Sequence, residues 1–370
     1  MQARGVNEEP QPQLIRSPAA VTPAWLTAVL RRAGRLDSAQ VDHFDPTIVG
    51  TGQMGASVRY TLKYDRDAPQ APRSVVCKFA SDDLISRSTG VAMRTYEVEV
   101  NFYGQLARTV DIRTPACHFA DIDLATGEFV LVMEDLAPSV QGDQLAGCTP
   151  DQAALAMDEL AKLHAPRWND RRLADLAWLN RNTPATLEVS ASLLPGLLPG
   201  FVERYAARLE PEYLALGEQL MTNIGTWLRG RAEPFVIQHG DYRLDNMLFG
   251  TPAGGYPLTV VDWQTVVWGP PLADASYFLG AGLTVEDRRA HERALLRQYY
   301  DALRARGIEG LSWERCWRDY RRYAFSGLLM AIGASMMVVQ TERGDAMFMT
   351  MARRHGAQIV DLEAEEFLLP

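Results

Sequence analysis

Hydrophobic residues recur along this chain in two rhythms, every second position or every third to fourth, and the order of the rhythms divides it. Trp25, Leu26, Val29 and Leu30 share one face of a helix predicted over residues 23–32, with Pro23 suited to its first turn. Residues 58–64 alternate, a polar Pro-rich turn covers 65–73, and 74–79 alternate again, which predicts a hairpin. A helix over about 95–106 follows, then strands at 118–122 and 129–133 around a turn at Thr126 and Gly127. Beyond that the helical rhythm dominates, over 151–164, 211–228 and 287–306, with a strand–loop–strand island at 235–262. The expected organisation is a disordered tail at 1–20, a sheet-rich lobe at 21–135 and a larger helical lobe at 136–370, an α+β architecture with a cleft between unequal lobes. It shows no internal repeat and no low-complexity linker.

Composition narrows the class. Hydrophobic residues at 47% and charged residues at 22% describe a folded soluble chain, and no apolar run reaches the length a membrane span needs, the longest candidate, 328–339, being too short. Residues 1–18 contain Arg4, Glu8, Glu9, Arg16 and three prolines but no apolar stretch, so they do not read as a secretory signal. Cys77, Cys117, Cys148 and Cys316 are widely spaced with no CxxC pairing, which argues for a reducing compartment and a cytoplasmic location. A net charge of -9 and a pI near 5.3 leave no basic stripe for nucleic acid, so small molecules are the expected ligands. That acidity suits a cationic substrate, but ordinary solubility explains it better. No oligomeric state is legible.

The candidate chemistry centres on residues 236–264. An apolar strand delivers His239-Gly240-Asp241 into a loop, Asn246 follows five residues after Asp241, and a second strand ends at Asp262. Three oxygen-bearing side chains are thereby aimed at one point. Phosphoryl transfer asks for this: a carboxylate to orient the attacking hydroxyl, and oxygen ligands for a metal on the phosphates. Taken alone, the loop also admits Asp241 and Asn246 as simple turn formers.

The run from His239 to Asn246, with Asp262-Trp263-Gln264, resembles the aminoglycoside phosphotransferase family and, more closely, its ecdysteroid-kinase-like and choline-kinase-like relatives. These share the protein-kinase fold and carry HGDxxxxN in the catalytic loop. The resemblance extends over about residues 49–279. It implies a protein-kinase-like bilobal fold with ATP and Mg2+ as cofactors. Asp241 is then the catalytic base or hydroxyl-orienting residue, Asn246 and Asp262 are magnesium ligands, and His239 is structural.

Upstream residues fall in the order the resemblance requires. Lys78 lies in an apolar strand, where a charge is costly unless paired, although an edge-strand lysine with its head in water is the alternative. Only Lys63, Lys78 and Lys162 are lysines in an arginine-rich chain. The family assigns Lys78 to the nucleotide phosphates, with a glutamate from the next helix as partner. Glu99 shares a helical face with Tyr96, Phe102 and Tyr103, whereas Glu97 points nearly opposite, so Glu99 is the expected partner. Gly50, Gly52 and Gly55 precede the first strand and, with Ser57, would let backbone N–H groups approach phosphate. This loop departs from the protein-kinase form, since its valine comes one residue late at Val58. An apolar strand running into Glu134 and Leu136 corresponds to the hinge, whose backbone would bind adenine. His164 and Asp274 match positions that brace the catalytic loop, and the histidines show no HxxxH zinc pair.

The expected function is an ATP- and magnesium-dependent phosphotransferase acting on a hydroxyl of a small molecule; the alternative is a kinase-fold binding protein without catalysis. Gly240 in place of arginine, Trp263-Gln264 in place of Phe-Gly, and the lack of an Ala-Pro-Glu segment disfavour a protein kinase. Methionines and aromatics concentrated over residues 320–351 either line a pocket for an apolar alcohol or are core.

Overall fold

Alternation and amphipathicity produce two units in the computed structural model, which describes residues 11–50 and 55–369. The first unit comprises the described residues up to Gly104 together with Pro115–Leu136; the second comprises Gln105–Thr114 and the described chain from Ala137 onward. The expected boundary lay one residue earlier, after 135.

In the first unit, α1 (Pro23–Arg32) is followed by β1 (Val41–Val49), β2 (Gly55–Tyr64), β3 (Ser74–Ala80), α2 (Leu84–Ala92), α3 (Thr95–Asn101), β4 (Cys117–Asp123) and β5 (Glu128–Glu134). The strands form one antiparallel sheet in the order β1-β2-β3-β5-β4. Val75, Cys77 and Phe79 of β3 and Val130 and Val132 of β5 pack with Leu26, Val29 and Leu30 of α1. The intervening residues turn to the other face, where Tyr96 of α3 stacks on Phe129 with ring centroids 4.7 Å apart.

β1 escaped the sequence reading because it is a largely exposed edge strand containing Pro46, which an edge tolerates. α2 was missed because Ser86, Ser88, Thr89 and Gly90 interrupt its apolar pattern; it is started by Asp83, whose carboxylate accepts the Ser86 N–H at 2.8 Å. The expected tail must be shortened. Leu14 and Ile15 pack against the core of this unit, and the Pro18 carbonyl accepts the Tyr60 hydroxyl at 3.2 Å, so residues 11–20 are part of the fold.

The second unit contains β6 (Val140–Gln141), α4 (Pro150–His164), α5 (Pro184–Leu193), α6 (Leu198–Tyr205), α7 (Pro211–Thr222), α8 (Ile224–Arg229), β7 (Val236–Gln238), β8 (Met247–Thr251), β9 (Gly254–Val260) and β10 (Val267–Gly269), then α9 (Pro271–Gly282), α10 (Val285–Ala305), α11 (Trp313–Arg322), α12 (Phe325–Met337) and α13 (Glu342–Asp361). The helix expected over 211–228 is two, broken at Asn223. α4 begins with a reciprocal capping box between Thr149 and Gln152 and buries Ala153, Ala156, Met157, Leu160 and Leu163. The β strands make two small antiparallel sheets, β6-β8-β9 and β10-β7, which frame the loop after β7.

One expectation about apolar runs is corrected. The helical stretch Pro184–Tyr205 has 22 residues and a mean hydropathy of 1.3, enough by length and composition to cross a membrane, and only 6% of it is buried. Pro195 and Pro199 disguise it as a broken sequence.

Candidate active site

In the first unit the site is built on β3 and α3. Strand alternation turns Lys78 away from the core that receives Cys77 and Phe79. Its Nζ lies 2.7 Å from Glu99 Oε2 and 2.9 Å from Oε1, with the Glu99 side chain 1% exposed and that of Lys78 13%. Glu97 takes Arg94 instead, at 2.7 Å. Ser57 lies opposite Lys78 in the β2–β3 register, and Gly55 must be glycine because a Cβ there would stand 2.8 Å from the Phe79 carbonyl oxygen. Gly52 lies outside the described residues. Glu134 donates its N–H to the Ala116 carbonyl at 2.8 Å, and its carboxylate accepts the Ala116 N–H at 3.0 Å. That N–H is therefore committed within the protein.

In the second unit, buried β7 feeds the loop that carries Asp241. Gly240 has φ +80° and a Cβ on it would stand 2.5 Å from the Thr265 carbonyl oxygen, so no side chain, arginine included, fits there. Asn246 Nδ2 donates to the Asp241 carbonyl at 2.8 Å and to Asp241 Oδ2 at 2.9 Å. The Val261 N–H donates to the Asn246 carbonyl at 2.9 Å, which ties the loop to the end of β9 and sets Asn246 beside the Val261–Asp262 step. Asp262 holds φ +65°, a left-handed backbone that costs a non-glycine residue and that concentrates at functional sites.

The loop is braced from behind. Asp274 of α9 accepts the His239 N–H at 2.7 Å and the Gly240 N–H at 3.0 Å, and its Oδ2 stands 3.4 Å from His164 Nε2. His164 Nδ1 meets the Tyr299 hydroxyl at 2.8 Å. Burial lowers the His164 pKa against the pull of Asp274, so the imidazole is neutral: Nε2–H donates to Asp274 and Nδ1 accepts from Tyr299. His239 Nε2 lies 3.0 Å from the Val261 carbonyl, joining the loop to the strand that ends at Asp262.

Sequence reasoning missed the groups that hold Asp241 itself. The Tyr277 hydroxyl of α9 donates to Asp241 Oδ1 at 2.7 Å. Arg243 Nε lies 3.1 Å from Oδ1 and 3.0 Å from Oδ2, while its Nη1 donates to Asp245 Oδ2 at 2.6 Å. Arg343 of α13 reaches both Asp245 oxygens at 3.3 Å. Burial opposes the Arg243 charge, but Asp241 and Asp245 outweigh it and raise its pKa. Burial would raise Asp245, yet Arg343 and Arg243 leave its pKa lowered. The alternation of acid, base and acid at Asp241, Arg243 and Asp245 was a usable signal; Tyr277, 36 residues away, offered none.

The oxygen donors fit magnesium. Asn246 spends Nδ2 on Asp241, so its Oδ1 is the atom that would hold the ion, and Asp262 would add a carboxylate. Among the described residues no cluster of three His, Cys, Asp or Glu side chains could cage a metal. Magnesium commonly takes one or two protein carboxylates and keeps substrate oxygens.

The architecture matches a Plasmodium vivax ethanolamine kinase with a TM-score of 0.51, covering 88% of this chain and 83% of that one at 11% identity, a likeness of fold. An uncharacterized kinase-like protein of Caenorhabditis elegans is 26% identical over 186 residues, 47% of each chain. Acyl-CoA dehydrogenase family member 11 of Gallus gallus is 31% identical over 86 residues, 21% of this chain and 11% of that protein. The matched region thus spans less than half the length of these curated relatives. The profile of the phosphotransferase enzyme family (APH) matches residues 54–313 of the 370, more than half of the chain, and the chain belongs to that family, with its protein-kinase-like fold.

Proposed function

We propose that this protein transfers the γ-phosphoryl group of ATP, with magnesium, to a hydroxyl of a small molecule. The observation that carries the reading is the joining of Asp241 to Asn246 at 2.9 Å in a loop tied to the Asp262 step. Asp241 accepts a hydrogen bond from the acceptor hydroxyl and orients its oxygen. Asn246, through Oδ1, and Asp262 are the residues that would hold magnesium, whose chemistry is to offset negative charge on the phosphates. Lys78, aligned by Glu99, is the protein's own cation for those phosphates, with backbone N–H groups near Gly55 and Ser57 beside it. The Glu134 N–H is committed to Ala116, and the backbone running from Glu134 to Leu136 is the segment that would meet adenine.

Much of the methionine and aromatic wealth is core: Tyr320, Phe325, Leu328, Met349 and Met351 are at most 1% exposed. Met330, Met336 and Met347 are half-buried and Met337 is exposed, and these are the side chains an apolar alcohol would meet. Four free thiols, three of them buried, support a reducing, cytoplasmic setting.

Thermal unfolding with ATP, with and without magnesium, tests the reading. Magnesium and ATP together should stabilise the wild type by about 2.7 kcal/mol at a hundred times Kd, and Asp262→Ala should remove that gain. A wild type that gains nothing would leave a kinase-fold protein without a nucleotide site.

A further inference from the structure

The Asp241 carboxylate is held by more donors than loop closure requires. Tyr277 takes Oδ1 at 2.7 Å, Asn246 takes Oδ2 at 2.9 Å, and Arg243 Nε stands 3.1 and 3.0 Å from the two oxygens. A carboxylate offers about four lone-pair sites. A donor nearly equidistant from both oxygens fixes the carboxylate from its midline, while Tyr277 and Asn246 each fix one oxygen. Rotation about the Cβ–Cγ bond would break all of these hydrogen bonds at once.

Both added donors are braced by α13. Arg243 Nη1 is held by Asp245, which Arg343 holds in turn, and the Tyr277 ring stacks on His355 with centroids 5.7 Å apart and planes at 21°. Burial, and then the charge of Asp241, raise the Tyr277 pKa well above its ordinary value, so the phenol remains a donor. The loop needs neither residue to close, since Asp274 and Asn246 already hold its backbone.

We propose that Arg243 and Tyr277 are positioning residues that lock the Asp241 carboxylate in a single orientation toward the acceptor hydroxyl, with α13 backing both through Arg343 and His355. This rests on the phosphotransferase reading above. Asn246 alone serves the purpose poorly, because it holds only Oδ2 and its own Oδ1 is the atom that would take magnesium. The device follows the general rule that a reacting constellation is held by groups whose own conformations are fixed.

The test uses the full chain with magnesium and ATP, measuring phosphate transfer to water or to an added primary alcohol. Tyr277→Phe keeps the ring and its stack on His355; Arg243→Lys keeps the charge and loses the planar fork. Each should lower kcat about tenfold, as expected for a lost charge-assisted hydrogen bond, with KM for magnesium–ATP unchanged. Arg243→Ala should recover part of its kcat when guanidinium ion is added at millimolar concentration. Unchanged kcat in Tyr277→Phe and Arg243→Lys overturns the proposal, and so does a parallel loss of kcat and Tm with no guanidinium rescue, which is what scaffolding alone gives. A wild type that neither gains stability from magnesium–ATP nor releases phosphate removes the phosphotransferase reading and the lock with it; an active wild type with unaffected variants removes the lock alone.

Discussion

Each unit carries one ion-paired centre beneath its candidate chemistry, and the two are built on different plans. In the first, Lys78 on β3 meets Glu99 on α3 across a sheet–helix interface, with the carboxylate 1% exposed. In the second, charges alternate in a row, Asp241–Arg243–Asp245–Arg343, and neutral donors close it: Tyr277 and Asn246 on Asp241, and the Gln144 N–H on Asp245 at 3.1 Å. A pair concentrates its electrostatics in one contact, whereas a row spreads them, so that each carboxylate keeps a partner when one cation is lost. The difference teaches that a buried pair is fragile to truncation while a row is resilient in stability and sensitive in geometry.

The comparison breaks most sharply on activity. Asp241→Asn should reduce phosphate transfer by about 10²–10⁴-fold, the range for a positioned carboxylate acting on a reacting hydroxyl, with little change in Tm; steady-state kinetics alongside thermal unfolding checks this. On stability the order reverses. Lys78→Met removes the cation beside a carboxylate with almost no access to water and should cost about 3–5 kcal/mol. Arg243→Met should cost only about 1–2 kcal/mol, because Asp245 retains Arg343 and Asp241 retains Tyr277 and Asn246. Urea unfolding of the two variants side by side decides it, and equal losses would mean that the row behaves as a pair.

The two centres also differed in how far the sequence disclosed them. Lys78 stood out as a charge in an apolar strand and helical periodicity chose Glu99 over Glu97, because both residues sit on regular elements. The HGDxxxxN run likewise located Asp241 and Asn246, and His164 and Asp274 stand behind the loop as read. The row could not be reached in that way. Arg243 and Asp245 lie in an irregular loop, where no period says which way a side chain points. Tyr277 and Arg343 arrive from helices whose packing is set by the whole unit. In the fold the omissions are of the same kind: β1 is exposed and carries Pro46, so it has no apolar alternation to read, and the Pro184–Tyr205 stretch hides its helical run behind Pro195 and Pro199.

A gentler probe of the same contrast is pH, because the second centre rests on a buried imidazole. His355 stacks on Tyr277, and Gly280 and Gly327 make room for it: a Cβ on Gly327 would stand 1.8 Å from His355 Nε2. Burial lowers its pKa to about 4 despite the hydrogen bond its Nδ1–H donates to Gln358 Oε1, and the Arg288 and Arg354 charges act in the same direction as burial. The unfolded chain takes up this proton near pH 6.5, the folded protein only near 4, so the unfolded state binds more protons throughout that window. Stability should therefore fall as pH drops from 6.5 toward 4, with His355 contributing about 1.4 kcal/mol per pH unit. Urea unfolding across that range for wild type and His355→Phe isolates the effect, since phenylalanine keeps a ring against Tyr277 and cannot take up the proton. The wild-type slope should be the steeper by that amount, and equal slopes would show that His355 is not held neutral.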